Sequence, residues 1–228
     1  QILFFLLEKG FVKPDETFIN QYLESKPYNG KPAKQRFSSC SSKKKPDNSQ
    51  TFYYLYPKIK KFLEEKQQKQ IEEEISKKYS ETISTFEEKC QLGENDSYIC
   101  SLIRSDSVEE FVSYVNKTNL PLTSKIKPSI YEKHSFLIDK RPTLIKYAAF
   151  FGSIQIFQYL KHNKVPLTPS LWRYTIHSNN AELIQFLEEN KVKPENDYSE
   201  SFDSFDDVLE ESIKCHHNDI TNYIKDNF

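Results

Sequence analysis

The amino-acid sequence predicts an all-α fold, a solenoid of helix–turn–helix units with an irregular helical middle section. Two observations about repetition predict it: a thirteen-residue segment near the start of the chain recurs near its end, and one helical pattern of apolar residues occurs three times after residue 140. A third observation agrees with them, because only four glycines occur in 228 residues. This scarcity disfavours glycine-rich phosphate loops, tight β-hairpins and β-barrel corners, which need residues that adopt positive φ.

The composition fits an extended fold better than a single thick globule. Hydrophobic residues, tyrosine included, make up 37% of the chain, against about 45–50% apolar residues in typical globular domains. The 32 basic and 33 acidic residues give a net charge of −1, so no global field recruits nucleic acid or membrane. No apolar run reaches the about 18 residues that a membrane span requires.

The cysteines and the start of the chain indicate an intracellular protein. The chain has four cysteines, which form no CxxC pair: Cys40, Cys90, Cys100 and Cys215. This usage is typical of a reducing compartment. The apolar run at residues 2–7 lacks the basic flank and cleavage site of a signal peptide. We therefore expect an intracellular, cytoplasmic protein, and, because residue 1 is Gln, a chain that begins inside a longer one.

The internal repeats define the units. Residues 3–15 align without a gap on residues 183–195, with six identities in thirteen positions. Residues 148–160 align on 175–187 at a spacing of 27 and on 212–224 at a further 37. The second half of each copy has apolar residues on one helical face, at i, i+1, i+4 in the first two copies and at i, i+3, i+4 in the third. These residues are Ile156, Phe157 and Leu160, then Leu183, Ile184 and Leu187, then Ile220, Tyr223 and Ile224.

The first half of each copy is helical as well. Leu144, Ile145 and Ala148 share one face, and Leu171, Trp172 and Thr175 repeat the spacing. Each unit is therefore a helix, a short turn and a second helix. Neither helix buries its apolar stripe alone, so stability must come from stacking on the next unit.

Residues 143–160 resemble the ankyrin repeat, whose pattern is Thr-Pro-Leu-His-x-Ala-Ala-x-x-Gly-His-x-x-Ile-Val-x-x-Leu. The positions that match are Thr143, Ala148, Ala149, Gly152, Ile156 and Leu160, with His217 at the family's His in the last unit. The family's Pro and His are replaced by Leu144 and Lys146, and its Gly by Asn179 and His216 in later units. The whole chain is similar to the degenerate ankyrin-containing proteins, expanded in parasitic protists, that carry an adjacent domain of unknown function.

The pattern divides the chain into five segments. They are a partial ankyrin-like repeat at 1–26, a basic Ser/Pro-rich linker or insertion at 27–57, amphipathic helices and a degenerate helix pair at 58–117, a connection at 118–141, and ankyrin-like repeats at 142–228. Within the second, residues 51–56 are strand-like in propensity, and we expect an extended segment or a helix start that Pro57 ends. Residues 58–90 predict an amphipathic helix, broken at most once.

No motif of catalysis or metal binding is recognisable. Cys215, His216 and His217, with Asp219 nearby, are the one tempting cluster, but consecutive residues diverge by about 100° on a helix and cannot meet at one ion. His134 and His177 stand apart from any nucleophile motif. The acidic run at 195–211 lacks the spacing of a calcium loop. We expect no catalytic residue, no cofactor and no metal, and hence no enzyme.

By resemblance to ankyrin stacks, the expected function is binding another protein on the concave face that the first helices line. The residues expected on this face are Lys146, Phe150, Phe151, Arg173 and His177. For Phe150 and Phe151, core burial is the competing interpretation. We expect a monomer that contacts no membrane. Two alternatives stay open: an enzyme whose site is assembled within 27–140, and weak nucleic-acid binding through the basic segment 31–45.

Overall fold

The structure is a computed structural model, and it describes residues 15–24, 48–194 and 205–228. Within these ranges the secondary structure consists of thirteen α-helices, one short 3₁₀ helix and no strand, apart from an isolated bridge between Lys125 and Thr143. The prediction of an all-α protein is confirmed. Most of the predicted first repeat, and the basic segment 31–45, lie outside the described residues.

The described residues form two compact units. The first contains the chain up to Glu94 together with Ile130–His134, and the second contains Asn95–Ser129 and Ser135–Phe228. The boundary at Glu94 falls inside the predicted segment 58–117. The amphipathic helices of that segment thus belong to the first unit, and its degenerate helix pair belongs to the second.

The described residues of the first unit form four α-helices and the 3₁₀ helix. They are α1 (Glu16–Glu24), α2 (Asn48–Ile59), the 3₁₀ helix Lys60–Phe62, α3 (Glu65–Tyr79) and α4 (Ile83–Leu92). The prediction that the helix over 58–90 is broken at most once is wrong, because the structure interrupts it twice. The first interruption is the 3₁₀ helix and the turn between Ile59 and Glu65, and the second lies between Tyr79 and Ile83, where Ser80 takes a left-handed conformation with φ 55°. Helix α4 then begins where the Thr82 hydroxyl accepts the backbone N–H of Thr85 at 3.2 Å.

Pro57 does not end the second helix, contrary to the prediction. Residues 51–56 are helical, and α2 continues through Pro57 to Ile59 before the chain tightens into the 3₁₀ helix. Proline has no N–H to donate to the carbonyl four residues earlier, and its ring crowds that carbonyl, but only two helical residues follow Pro57. For residues 51–56, the helical alternative is therefore confirmed and the extended segment is not.

In the part of the second unit that the structure describes there are nine helices, eight of which form successive pairs. They are α5 (Tyr98–Arg104) with α6 (Val108–Thr118), α8 (Leu144–Phe151) with α9 (Ile154–His162), α10 (Leu171–Ser178) with α11 (Ala181–Glu189), and α12 (Asp206–Lys214) with α13 (Asn218–Asn227). The ninth is the short α7 (Ser135–Lys140). The first helices α5, α8, α10 and α12 pack on one another in that order.

The turn inside each pair has the same backbone conformation. The residue that turns the chain has a left-handed φ in all four pairs: Asp106 (50°), Gly152 (73°), Asn179 (51°) and His216 (58°). In three pairs the next backbone N–H bonds a carbonyl five residues earlier, as from Ser153 to Ala148 at 2.9 Å. This is the bond of a Schellman helix end. The equivalence of Gly152, Asn179 and His216, predicted by alignment, is therefore confirmed in the backbone.

Polar contacts also join one turn to the next. The carboxylate of Asp106 accepts the backbone N–H groups of Gln155 and Ile156 at 3.0 and 2.9 Å, and so caps the start of α9. The buried hydroxyl of Ser153 donates to the carbonyl of Ile103 at 2.5 Å. These bonds fix the register of the first two pairs.

Small residues occupy the centre of the stacked first helices. The three aligned positions Ala148, Thr175 and Ser212 are each fully buried, and their size lets neighbouring helices approach closely. Larger side chains surround them, among them Trp172, which is 1% exposed and donates its indole N–H to the Val192 carbonyl at 2.6 Å. The predicted burial of Trp172 is confirmed. Within the described ranges, every helix is too short or too polar to cross a bilayer.

Candidate functional site

The five residues predicted to bind a partner lie on two neighbouring helices. Lys146, Phe150 and Phe151 belong to α8, and Arg173 and His177 belong to α10. Because α8 and α10 pack side by side, the structure brings the two groups together on the first helices of the second and third pairs. This placement follows from the helix pattern, which puts residues 146 and 173, and 150 and 177, at equivalent positions.

Two of the five residues, Lys146 and Arg173, carry a positive charge, and both are half-buried. The ammonium nitrogen of Lys146 lies 5.7 Å from the ring centre of Tyr174, at the distance of a cation–π contact. The stem of such a side chain covers apolar surface while its charge stays near water. This part of the site is therefore positively charged and partly apolar.

The two phenylalanines differ in burial. Phe150 is only 7% exposed and stacks on the imidazole of His177, with 4.7 Å between ring centres. Phe151 is half-buried, and the guanidinium of Arg104 lies 6.0 Å from its ring centre. Core burial is thus the better description of Phe150, while Phe151 keeps some accessible surface.

A third aromatic side chain, which sequence reasoning missed, completes this cluster. Phe136 of α7 lies 4.4 Å from His177, 4.9 Å from Tyr174 and 6.1 Å from Phe150, measured between ring centres. It comes from the segment that the sequence predicts to be a connection. Helix α7 has only six residues, too few for a periodic pattern to reveal it.

His177 also contacts the fourth helix pair. Its Nε2 atom lies 3.0 Å from Oε1 of Glu211, and its Nδ1 atom lies 3.3 Å from Sγ of Cys215. Contact with His177 holds the pKa of Glu211 below its usual range, against the opposing effect of burial.

The thiol of Cys215 is not activated for catalysis. Burial raises its pKa to about 11, and the nearby charge of Glu211 acts in the same direction. The thiol therefore stays protonated near neutral pH, whereas a nucleophilic cysteine requires the thiolate. The arrangement of thiol, imidazole and carboxylate thus lacks the low thiol pKa of a cysteine hydrolase.

The donor atoms of His177, Glu211 and Cys215 all lie within 4.8 Å of one another. The sequence analysis considered Cys215 with His216 and His217, which do not converge because His216 turns the chain and His217 precedes α13. The convergence comes instead from the preceding helix pair. The sequence contains one indication of the contact between His177 and Cys215, because the repeat alignment pairs His177 with Lys214, which directly precedes Cys215.

Comparisons with protein-family models, with curated proteins and with solved structures find no match to this chain. The resemblance to ankyrin repeats thus depends on the residues of this chain alone.

Proposed function

We propose that the second unit is an ankyrin-like stack that binds another protein through the face formed by its first helices. Three features support this proposal. The helix pairs repeat, their turns share one left-handed position, and the first helices pack in chain order. A row of packed first helices offers side chains from several pairs to one partner.

The observation that carries the proposal is the pairing of charge with aromatic surface on α8 and α10. Lys146 and Arg173 occupy equivalent positions on these neighbouring helices, and the half-buried Phe151 lies on the same helix as Lys146. The Lys146 ammonium lies over the ring of Tyr174, so the basic pair adjoins aromatic surface and is complementary to an acidic segment that also carries an apolar residue. We therefore propose an acidic protein segment as the partner.

Charge reversal tests the proposal. Immobilised full-length chain would be used to recover proteins from a lysate of its own source, with the wild type compared with the double variant Lys146→Glu, Arg173→Glu. A matched control is Lys164→Glu, Lys225→Glu, which reverses two exposed lysines near second helices. We expect the charge-reversal variant to recover at least about tenfold less of the partner than the wild type, and the control variant to recover as much as the wild type.

The phenylalanine positions give a second test. Phe151→Ser should reduce affinity for the recovered partner while the chain keeps its helix content. Phe150→Ser is unsuitable, because this side chain is buried and its loss would destabilise the fold. Equal recovery by wild type, the charge-reversal variant and Phe151→Ser would contradict the proposal.

A further inference from the structure

We propose that His177, Cys215 and Glu211 bind a zinc ion between the third and fourth helix pairs. This inference is independent of the proposed function, because it needs no protein partner. His177 lies on α10, Glu211 lies on α12 and Cys215 directly follows α12, and these two first helices of successive pairs pack together. They supply a nitrogen, a sulfur and a carboxylate oxygen, each a common zinc ligand.

The identity of the donors selects the metal. Calcium and magnesium prefer shells made of oxygen atoms, and a thiolate is a poor ligand for either. Zinc accepts thiolate, imidazole and carboxylate together. Three protein ligands leave the fourth position of a tetrahedral zinc to a water molecule. The donor set of this cluster therefore favours zinc over the alkaline-earth ions.

The distances are close to those of a formed site. The Sγ atom of Cys215 and the Nδ1 atom of His177 are 3.3 Å apart. Zinc–sulfur and zinc–nitrogen bonds of about 2.3 and 2.0–2.1 Å, at a tetrahedral angle, place two such ligands about 3.5 Å apart. Little movement of these two side chains is needed to hold the ion.

Glu211 requires a larger adjustment. Its carboxylate contacts Nε2, whereas Nδ1 is the imidazole nitrogen beside the thiol. All three donor atoms already lie within 4.8 Å of one another, and rotation about the side-chain torsions of Glu211 brings its oxygen toward the ion. Glu211 is four residues before Cys215, which caps the end of α12, so both ligands approach from the C-terminal end of that helix.

The surroundings hold the imidazole in place. Phe150 stacks on the ring at 4.7 Å with an interplanar angle of 29°, and Phe136 contacts it at 4.4 Å. A ligand whose orientation is fixed by neighbouring groups loses less entropy when the metal binds. The site is shielded but still reachable, since the side chains of His177 and Glu211 are 9% and 16% exposed.

Metal binding involves a balanced exchange. The Cys215 S–H bond breaks and its proton goes to solvent, while the thiolate sulfur, the Nδ1 lone pair of His177 and a Glu211 carboxylate oxygen form bonds to zinc and displace water molecules from the hydrated ion. The bound ion links α10 to α12, and because it binds the folded chain, it stabilises that state.

The experiment uses the full chain, reduced and freed of metal with a chelator. Zinc is titrated by calorimetry against a competing chelator, and cobalt is titrated by absorbance, because a cobalt–thiolate bond gives a charge-transfer band. The test variants are Cys215→Ser, His177→Gln and Glu211→Gln. The matched controls are Cys40→Ser, His162→Gln and Glu210→Gln. Dichroism and the fluorescence of Trp172 establish that each variant is folded.

We expect one zinc per chain, a higher melting temperature with zinc, and a cobalt–thiolate band that Cys215→Ser abolishes. The three test variants should weaken binding at least about tenfold, and the controls should leave it unchanged. Absence of stoichiometric zinc binding, or binding that folded Cys215→Ser and His177→Gln variants retain, would overturn the proposal. The three side chains would then be a hydrogen-bonded cluster only.

Discussion

The two units of this chain fill their cores with different side chains. In the first unit, tyrosine is prominent among the buried residues, and its hydroxyl groups make directed polar contacts. Tyr22 donates to the Phe52 carbonyl at 2.9 Å, Tyr56 to Glu72 at 2.6 Å and Tyr131 to Glu81 at 3.0 Å. In the second unit, aliphatic residues and alanine predominate, and the contacts recur from one helix pair to the next.

This difference shows what a sequence pattern reveals. Buried tyrosine requires a specific partner for its hydroxyl, and that partner has no fixed spacing along the chain: Tyr131 bonds a residue fifty positions away. Stacked helix pairs reuse one set of contacts, so their small central residues and turn positions recur in the sequence. The packing of the second unit can therefore be predicted from its repeating sequence pattern, whereas the packing of the first unit cannot.

The largest expected effect comes from emptying a core position. Phe157→Ala in the second unit should lower the free energy of unfolding by about 3–5 kcal/mol, because this fully buried side chain leaves a cavity. Phe86→Ala is the counterpart in the first unit, where Phe86 is equally buried. Urea denaturation followed by dichroism measures both. A loss below about 1 kcal/mol for either variant would mean that the packed core of that unit is misassigned.

Alkaline pH should destabilise the first unit through its buried tyrosines. Burial raises the pKa of Tyr54 to about 12, and burial together with Glu72 raises the pKa of Tyr56 further. The unfolded chain ionises near pH 10, so this contribution to stability is complete below about pH 10 and is lost as the pH rises toward 12.

Urea denaturation at a series of pH values measures this loss. Tyr54→Phe should be less sensitive to alkali than the wild type, because phenylalanine does not ionise. An exposed tyrosine of the second unit, Tyr98, offers the control Tyr98→Phe. If Tyr54→Phe and the wild type lose stability in parallel above pH 10, the burial of the Tyr54 hydroxyl is contradicted.

A smaller effect is expected at a buried hydroxyl in the second unit. The Oγ1 atom of Thr175 is buried and has no hydrogen-bond partner among the described residues. Thr175→Val keeps the shape and removes the unsatisfied group, so it should raise the free energy of unfolding by about 1 kcal/mol. Ser212→Ala is the contrasting control, because this aligned hydroxyl donates to the Leu209 carbonyl at 2.7 Å. Destabilisation by Thr175→Val would show that the hydroxyl has a partner.

The sequence predicted much of the second unit and little of the site within it. The repeat alignment located the helix pairs, the small residues at 148, 175 and 212, and the turn positions, because each follows from helical periodicity. It placed Lys146 beside Arg173 for the same reason. It did not locate Phe136, whose helix is too short for a pattern, or the contact of His177 with Cys215, which joins residues 38 positions apart through helix packing.

The central claim is that the second unit repeats one helix–turn–helix in which a single residue takes the left-handed conformation. In the last pair this residue is His216 with φ 58°, followed by His217 with φ −91°. Glycine relieves strain only where φ is positive, and elsewhere it costs conformational entropy.

The most direct test is therefore urea denaturation of His216→Gly and His217→Gly, followed by the fluorescence of Trp172, the chain's one tryptophan. This residue lies in the second unit and contacts Phe205 and Phe228 of the last pair at 5.0 and 6.0 Å. We expect His216→Gly to raise the free energy of unfolding by about 0.5–1 kcal/mol and His217→Gly to lower it by a similar amount. The reverse order, or equal effects at the two positions, would contradict the account.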